Sequence, residues 1–401
     1  MGAIRLAVVG GRRGGYFSRS LARLAGRVEL VAVCDSNEDV LQKWREEFPG
    51  IRAYDSYDRL IDDSNVDAVF LATPLFIHAE QAIRAMEAGK HVISEVIAAH
   101  TLEDCWKLTE AVEKTGMTYM MAENYCYMRP NMMVGHMSQQ GLFGELTYAE
   151  CGYIHDVRNL LHDKEGNLTW RGRLLRDYEG STYPTHSLGP VAQWMGINRE
   201  GGDELDSLVT FSSKSRAGAK YFGEHFGEEH PGSQADFWKN GDSTVTLIRT
   251  KKGALIALKY DIQSSRPHNM THYTLQGTNG AYLSPRYAGE DPLVWIENVS
   301  KGVSYSEGKA EAPEAEWESL WSHADKWEHP LWKRWAKEAE QSGHGGGDFF
   351  VLDEFLSAIE ERRRPAIDVY DAVTWSSVFP LSAQSMASGG TPVKFVDFRR
   401  K

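Results

Sequence analysis

The chain has 401 residues, 42% hydrophobic and 25% charged, the composition of a globular protein long enough for two domains. Its formal net charge of −12 argues against a nucleic-acid partner, and no segment offers the roughly 18 uninterrupted apolar residues of a membrane span. The chain enters its first apolar strand within a few residues, and Cys34, Cys105, Cys126 and Cys151 show no C-x-x-C spacing, so a cytoplasmic protein without a leader, with reduced thiols, is expected.

The first predicted strand, Ile4–Val9, runs into Gly10-Gly11-Arg12-Arg13-Gly14-Gly15, and a helix is expected from about Tyr16 to Ala25. Such a turn lets backbone N–H groups and a helix N-terminus approach a pyrophosphate. The second strand, Val28–Cys34, ends at Asp35, whose carboxylate is placed to accept from ribose hydroxyls. The same charge repels a 2′-phosphate and Ser36-Asn37 offer no cation, so the reading is NAD rather than NADP. Counted from Gly10, the middle glycine of G-x-G-x-x-G is replaced by Arg12. Strands at Ala68–Ala72, His91–Ser94 and Thr118–Ala122 alternate with helices at Glu38–Phe48, His78–Ala88 and Leu102–Thr115, which implies right-handed crossovers and a parallel sheet. The strand ends carry Gly10, Asp35, Thr73-Pro74, Glu95 and Asn124, expected to line one ligand crevice.

After Asn124 the pattern changes. A helix at Asn131–Gln140 precedes strands at Thr147–Ile154, Ser207–Phe211, Thr244–Arg249, Ala254–Ile262, Tyr273–Gly277 and Leu293–Val299, with hairpin turns at Lys251-Lys252-Gly253 and Thr278-Asn279-Gly280. A mostly antiparallel sheet is expected, one face on helices and the other open to a substrate or partner subunit. Trp317, Leu320, Trp321 and Ala324 fall at helical spacing and read as core or subunit packing. Ser342–Gly347 is a glycine-rich loop, and helices at Asp348–Arg362 and Tyr370–Ala387 close the chain. The expected fold class is α/β: a Rossmann domain with a doubly wound parallel sheet over residues 1–124, then an α/β domain with an open, mostly antiparallel sheet over 125–401, its C-terminal helices able to pack back on the first domain.

Two aromatic–histidine clusters suit proton transfer beside a nicotinamide. Tyr153 and His155 project to one face of a strand, and Tyr183-Pro184-Thr185-His186 leads into a helix. No metal site is expected, since Glu224, His225, Glu228, Glu229 and His230 fit no ligand spacing.

Ala72-Thr73-Pro74 with His78, and Gly89-Lys90-His91-Val92 before Glu95, resemble the Gfo/Idh/MocA oxidoreductases. Ser94-Glu95-Val96, Met121-Ala122-Glu123-Asn124, Gly141–Glu145, Tyr153–Asp156, Tyr183–Pro190 and Gly343–Asp348 together resemble glycoside hydrolase family 109, NAD-dependent glycosidases known for α-N-acetylgalactosaminidase activity. The resemblance covers nearly the whole chain. It implies NAD contacts from Gly10, Gly11, Arg12, Arg13, Asp35, Thr73, Pro74, Leu75, His78, Glu95, Val96, Asn124 and Arg171. It implies sugar contacts from Tyr153, Arg171, Tyr183, Pro184, Thr185, His186 and His268, with Tyr153, His155, Tyr183 and His186 as the catalytic set.

Gfo/Idh/MocA dehydrogenases usually carry Glu-Lys-Pro where this chain has Glu95-Val96-Ile97, and valine handles no proton. The family-109 group has tyrosine where this chain has His268 after Arg266-Pro267, which bears on the choice of sugar. The expected activity is NAD-dependent cleavage of small glycosides through transient C3 oxidation, C2 deprotonation, elimination, water addition and re-reduction. A simple NAD-dependent sugar or polyol dehydrogenase is the alternative, and a non-catalytic NAD-binding sensor is a third reading. The open sheet face points to a homo-oligomer.

Overall fold

Short apolar runs in the first third become buried parallel strands. β1 (Ile4–Val9), β2 (Val28–Cys34), β3 (Arg52–Tyr54), β4 (Ala68–Leu71), β5 (His91–Ser94) and β6 (Tyr119–Met121) form one sheet in the order β3-β2-β1-β4-β5-β6. Every pairing in it is parallel. The order reverses at β1, the topological switch point where doubly wound sheets bind ligands. The computed structural model describes residues 2–267, 269–302 and 315–399. The chain divides into two units: one holds the residues up to Arg129, Leu331–Ser377 and the stretch from Val396; the other holds Pro130–Pro330 and Val378–Phe395.

Local chemistry sets the helices of the first unit. Asn37 caps Glu38–Glu47 by accepting from Asp39 N, and Thr101 caps Leu102–Thr115 by accepting from Asp104 N. Gly116, at φ +66°, ends the latter. The first helix starts earlier than expected, at Gly11 rather than Tyr16. It runs as Gly11–Gly14, a 3₁₀ turn at Gly15–Phe17, then Ser18–Arg23. β3 and the helix Tyr57–Ile61 were not anticipated, because Arg-Ala-Tyr is no apolar run.

In the second unit, β7 (Leu146–Ile154), β8 (Leu205–Ser212), β9 (Ser243–Thr250), β10 (Leu255–Asp261), β11 (Asn269–Gly277), β12 (Gly280–Leu283), β13 (Leu293–Ile296), β14 (Glu318–Ser319) and β15 (Val393–Lys394) form a nine-stranded sheet. The order is β14-β13-β12-β11-β7-β10-β9-β8-β15. Only β10 with β7 is parallel, so the expected antiparallel character holds. Both expected hairpin turns join their strands, β9 to β10 and β11 to β12.

Alternation separates the faces of this sheet. Thr244, Thr246, Ile248 and Thr250 of β9 are buried, whereas Val245 and Leu247 are exposed. Helix Thr185–Trp194 packs on β7, β10 and β11. Helices Trp170–Asp177 and Arg216–Phe226 were not anticipated. Two further expectations are corrected. No single helix spans 317–324: β14, a 3₁₀ turn at Leu320–His323 and the helix Ala324–Trp327 follow one another there, with Leu320 fully buried, as expected of core, and Trp317 about half exposed. The last predicted helix is two, Val369–Ser376 and Val378–Ala387. Pro380 lies in the first turn of the second, where it has no N–H for Ser376, so the first helix cannot run on through it.

Among the described residues no helix is long and apolar enough to cross a membrane. All four cysteines are buried free thiols, and burial, followed by the nearby Asp35 and Asp55 charges, pushes Cys34 up to about 12.

Candidate functional site

The glycine turn of the first unit is built by close approach. Gly10 adopts φ +93°, and a Cβ there would lie 2.5 Å from the Ala72 carbonyl oxygen. Its N–H donates to the Cys34 carbonyl at 2.8 Å. A Cβ on Gly14 would lie 2.2 Å from Val8 Cγ1, so this glycine seats the helix on β1. Asp35 closes the turn from the side, accepting from Gly11 N at 2.8 Å and Asn37 N at 2.9 Å. Arg12 is exposed, whereas Arg13 points its Nε to Glu95 Oε1 at 2.5 Å and lies over the Phe17 ring.

The other strand ends supply a set of fixed groups. Thr73 donates to Gln81 at 2.6 Å, Pro74 precedes a 3₁₀ turn at Leu75–Ile77, and Leu75 is buried. His78 is buried with its ring nitrogens 2.9 and 2.7 Å from the carbonyl oxygens of Ile97 and Thr73, so its ring clamps two strand-end loops. Burial pushes its pKa down, against the two carbonyls and Glu95. Glu95 and Val96 are buried after β5. Asn124, after β6, is buried and donates its amide to Asp348 at 2.7 Å, while its amide oxygen has no hydrogen-bond partner among the described residues. A glycine cradle that a Cβ would fill, a backbone-held carboxylate at the end of β2 and a buried orphan acceptor fit a dinucleotide.

The second unit gathers the four candidate acid–base rings. Tyr153 faces the helix-covered side of β7 with Cys151 and Ala149. His155 follows the strand, and its N–H donates to the Asp261 carbonyl at 2.9 Å. Tyr183 and Pro184 lead into the helix that carries Thr185 and His186 in its first turn. The ring centroid of Tyr153 lies 5.5 Å from His155, 5.6 Å from Tyr183 and 5.2 Å from His186, and Tyr183 and His186 are 5.2 Å apart. The two clusters of the sequence thus form one.

Further groups support these rings, among them two tyrosines that the sequence analysis did not single out. Tyr260 stands beside Tyr153 in the β10–β7 register, and its hydroxyl accepts from Thr182 at 3.0 Å. Burial pushes its phenol up, with Thr182 opposing. Tyr273 donates its hydroxyl to the His186 carbonyl. Strand parity, applied to β10 and β11 as it was to β7, singles out both tyrosines. Thr185 Oγ1 is buried without a hydrogen-bond partner among the described residues. Arg171 stacks on Trp170 at the start of helix Trp170–Asp177, in the second unit rather than with the other expected NAD contacts. His268 lies outside the described residues.

The first unit is a dinucleotide-binding domain of the oxidoreductase type, and the comparisons extend this to the whole chain. Residues 4–123 match the oxidoreductase family with an NAD-binding Rossmann fold, and residues 127–401 match the glycosyl hydrolase 109 C-terminal domain. A glycosyl hydrolase family 109 protein of Solibacter usitatus is 36% identical over all of this chain and 89% of its own length. An alpha-N-acetylgalactosaminidase of Shewanella oneidensis is 37% identical over all of this chain and 86% of its own. Among solved structures, levoglucosan dehydrogenase in complex with NADH and L-sorbose superposes with a TM-score of 0.75 at 19% identity, covering 99% of this chain and 100% of that one. That likeness is one of fold. The chain belongs to glycosyl hydrolase family 109. It is an NAD-dependent enzyme.

Proposed function

We propose that the protein cleaves small glycosides by oxidation and elimination, with an α-linked N-acetylgalactosaminide as the first substrate to test. The observation that carries this reading is the convergence of Tyr153, His155, Tyr183 and His186 in a chain that offers only the buried, proton-inert Val96 after Glu95. The name of the Shewanella oneidensis relative supports the choice of sugar.

When bound, NAD supplies reversible acceptance of hydride from C3 of the sugar. His186, with Tyr183 beside it, takes the proton of the 3-hydroxyl. The resulting ketone acidifies the C2 proton, which Tyr153 or His155 removes as the C1 substituent leaves. The other group of that pair protonates the departing oxygen, water adds at C1, and the protons return in reverse order. Thr182 and Tyr260 hold the floor beneath Tyr153, and Tyr273 fixes the His186 backbone. On the first unit, Gly10, Gly11, Asp35, Glu95 and Asn124 hold the dinucleotide.

The test is a panel of aryl glycosides incubated with the protein in D₂O and followed by proton NMR. Aglycone release with deuterium entering C2, and no accumulating NADH, is the expected outcome. Intact glycoside with rising NADH would instead identify a dehydrogenase.

We also infer a cytoplasmic homo-oligomer. Four buried free thiols support the compartment. The open sheet face supports the assembly, since Phe211, Val245, Leu247 and Leu255 are 64%, 42%, 50% and 49% exposed on neighbouring strands.

A further inference from the structure

The run Gly343-His344-Gly345-Gly346-Gly347-Asp348 has no part in the chemistry proposed above, yet its backbone is unusual. His344, Gly345 and Gly346 take φ of +49°, +58° and +93° in succession. A histidine here sits among glycines, in a conformation that glycine adopts freely and an L side chain does not. Its ring has a use: Nδ1 lies 3.0 Å from both carboxylate oxygens of Asp348. The flanking glycines serve the same carboxylate. A Cβ on Gly343 would lie 2.2 Å from Asp348 Oδ2, and one on Gly347 would lie 2.3 Å from the Asn124 carbonyl oxygen. The run therefore brings Asp348, in the first turn of helix Gly347–Glu361, hard against Asn124.

Burial pushes the Asp348 carboxyl up, but His344, Asn124 and the Arg13 charge outweigh it and hold it below the usual carboxylate range. The helix N-terminus favours the same ionised form. An ionised carboxylate only accepts, so Asn124 must turn its NH₂ toward Asp348 and its oxygen away. That oxygen is buried, has no hydrogen-bond partner among the described residues, and stands just beyond β6, at the end of the sheet where ligands bind.

We infer that Asp348, oriented by His344, is a positioning residue for the dinucleotide: it fixes the Asn124 amide so that its oxygen meets an N–H or O–H donor of bound NAD. The inference rests on the NAD reading of the first unit. In Asp348→Asn, the new amide can donate to Asn124, which frees Asn124 to turn over and withdraw its oxygen.

The experiment is calorimetric titration of NAD⁺ into the parent, Asp348→Asn, the swapped pair Asn124→Asp/Asp348→Asn, His344→Ala and His344→Asn, each checked for folding by its melting curve without NAD. Asp348→Asn is expected to weaken binding about tenfold, the worth of one hydrogen bond. The swapped pair is expected to recover parental affinity, because a carboxylate at 124 accepts from the amide at 348 and keeps an oxygen for the ligand. His344→Ala is expected to weaken binding and His344→Asn to restore it, since asparagine tolerates positive φ and offers an amide N–H near the position of Nδ1. Parental affinity in folded Asp348→Asn, or a swapped pair no better than the single variant, would overturn the inference. Should Asp348→Asn not fold, equal affinities in His344→Ala and His344→Asn would overturn it. A parent that does not bind NAD⁺ would overturn the cofactor reading instead.

Discussion

His186 is the residue on which the proposed proton transfers turn. Its side chain meets Tyr153 and Tyr183, and its carbonyl is held by Tyr273 from a neighbouring strand. His186→Ala should lower turnover by about 10²- to 10⁴-fold, the usual range for a lost acid–base group, while leaving NAD⁺ affinity near parental. Tyr273→Phe should cost about 1–3 kcal/mol of stability by leaving a buried carbonyl unpaired, with a smaller loss of turnover. Steady-state kinetics beside thermal melts separate the two, and a His186→Ala variant with parental rates would remove its role. Titration gives a second handle. Burial, then His136, pushes His329 down to about 4 from an ordinary value of 6.5. The unfolded chain therefore binds a proton that the fold refuses, so stability is full above pH 6.5 and falls as pH drops toward 4. Glu150 works in a lower window. Burial raises it, but Lys259, His272 and Tyr148 outweigh that and hold it at about 2. Its contribution is present above about pH 4.5 and lost as pH falls toward 2. Melting temperatures of the parent, His329→Gln and Glu150→Gln from pH 8 to 3 should show each variant flattening only its own window.

At the scale of elements, the glycine turn ties sequence to packing most tightly. Gly14→Ala places a methyl against Val8 Cγ1 and should cost about 1–3 kcal/mol, with weaker NAD⁺ binding because the helix start must shift. Chemical denaturation and NAD⁺ titration check this, and an alanine variant with parental stability would refute the packing argument. The same turn shows where sequence reading succeeds and where it stops. The parallel strands were legible because Leu-Ala-Val-Val and Ala-Val-Phe-Leu are buried on both faces and read as apolar runs. The helix start was misplaced because Gly11, Gly14 and Gly15 are poor helix formers, and only their contact with β1 and neighbouring side chains makes helix the better choice. β3 and helix Arg216–Phe226 were missed for related reasons. One is three residues long and only partly buried, and the other holds two glycines, Gly218 and Gly223, in its interior. Tyr153 and His155 were legible from strand parity and Tyr183 and His186 from their shared loop. That the four rings meet depends on helix Thr185–Trp194 packing across β7, a tertiary fact no local pattern encodes. Asp348 was legible as the end of a glycine string and the start of a helix, but its pairing with Asn124 across the fold was not.

For the whole molecule, the open face of the nine-stranded sheet is the feature that the isolated chain leaves unresolved. Apolar side chains from β8, β9 and β10 stand in register, Phe211 against Val245, Val209 against Leu247, and Leu247 against Ala257. Beside them on the same face lies the Glu150, Lys259 and His272 network. Leu247→Glu puts a charge at the middle of the apolar rows and should convert the proposed homo-oligomer to monomers without unfolding the chain. Sedimentation velocity reads this directly, and a parent that sediments as a monomer at micromolar concentration would exclude the oligomer.

Asp35 links cofactor choice to architecture. On the proposed reading it selects against a 2′-phosphate, yet both of its oxygens already accept from the backbone at Gly11 and Asn37. A protein engineer seeking an NADP-dependent form could not simply replace it with a neutral or basic residue, because the glycine turn would lose its brace in the same stroke. A change of allegiance would need at least two coordinated substitutions, one to welcome the phosphate and one to hold the turn.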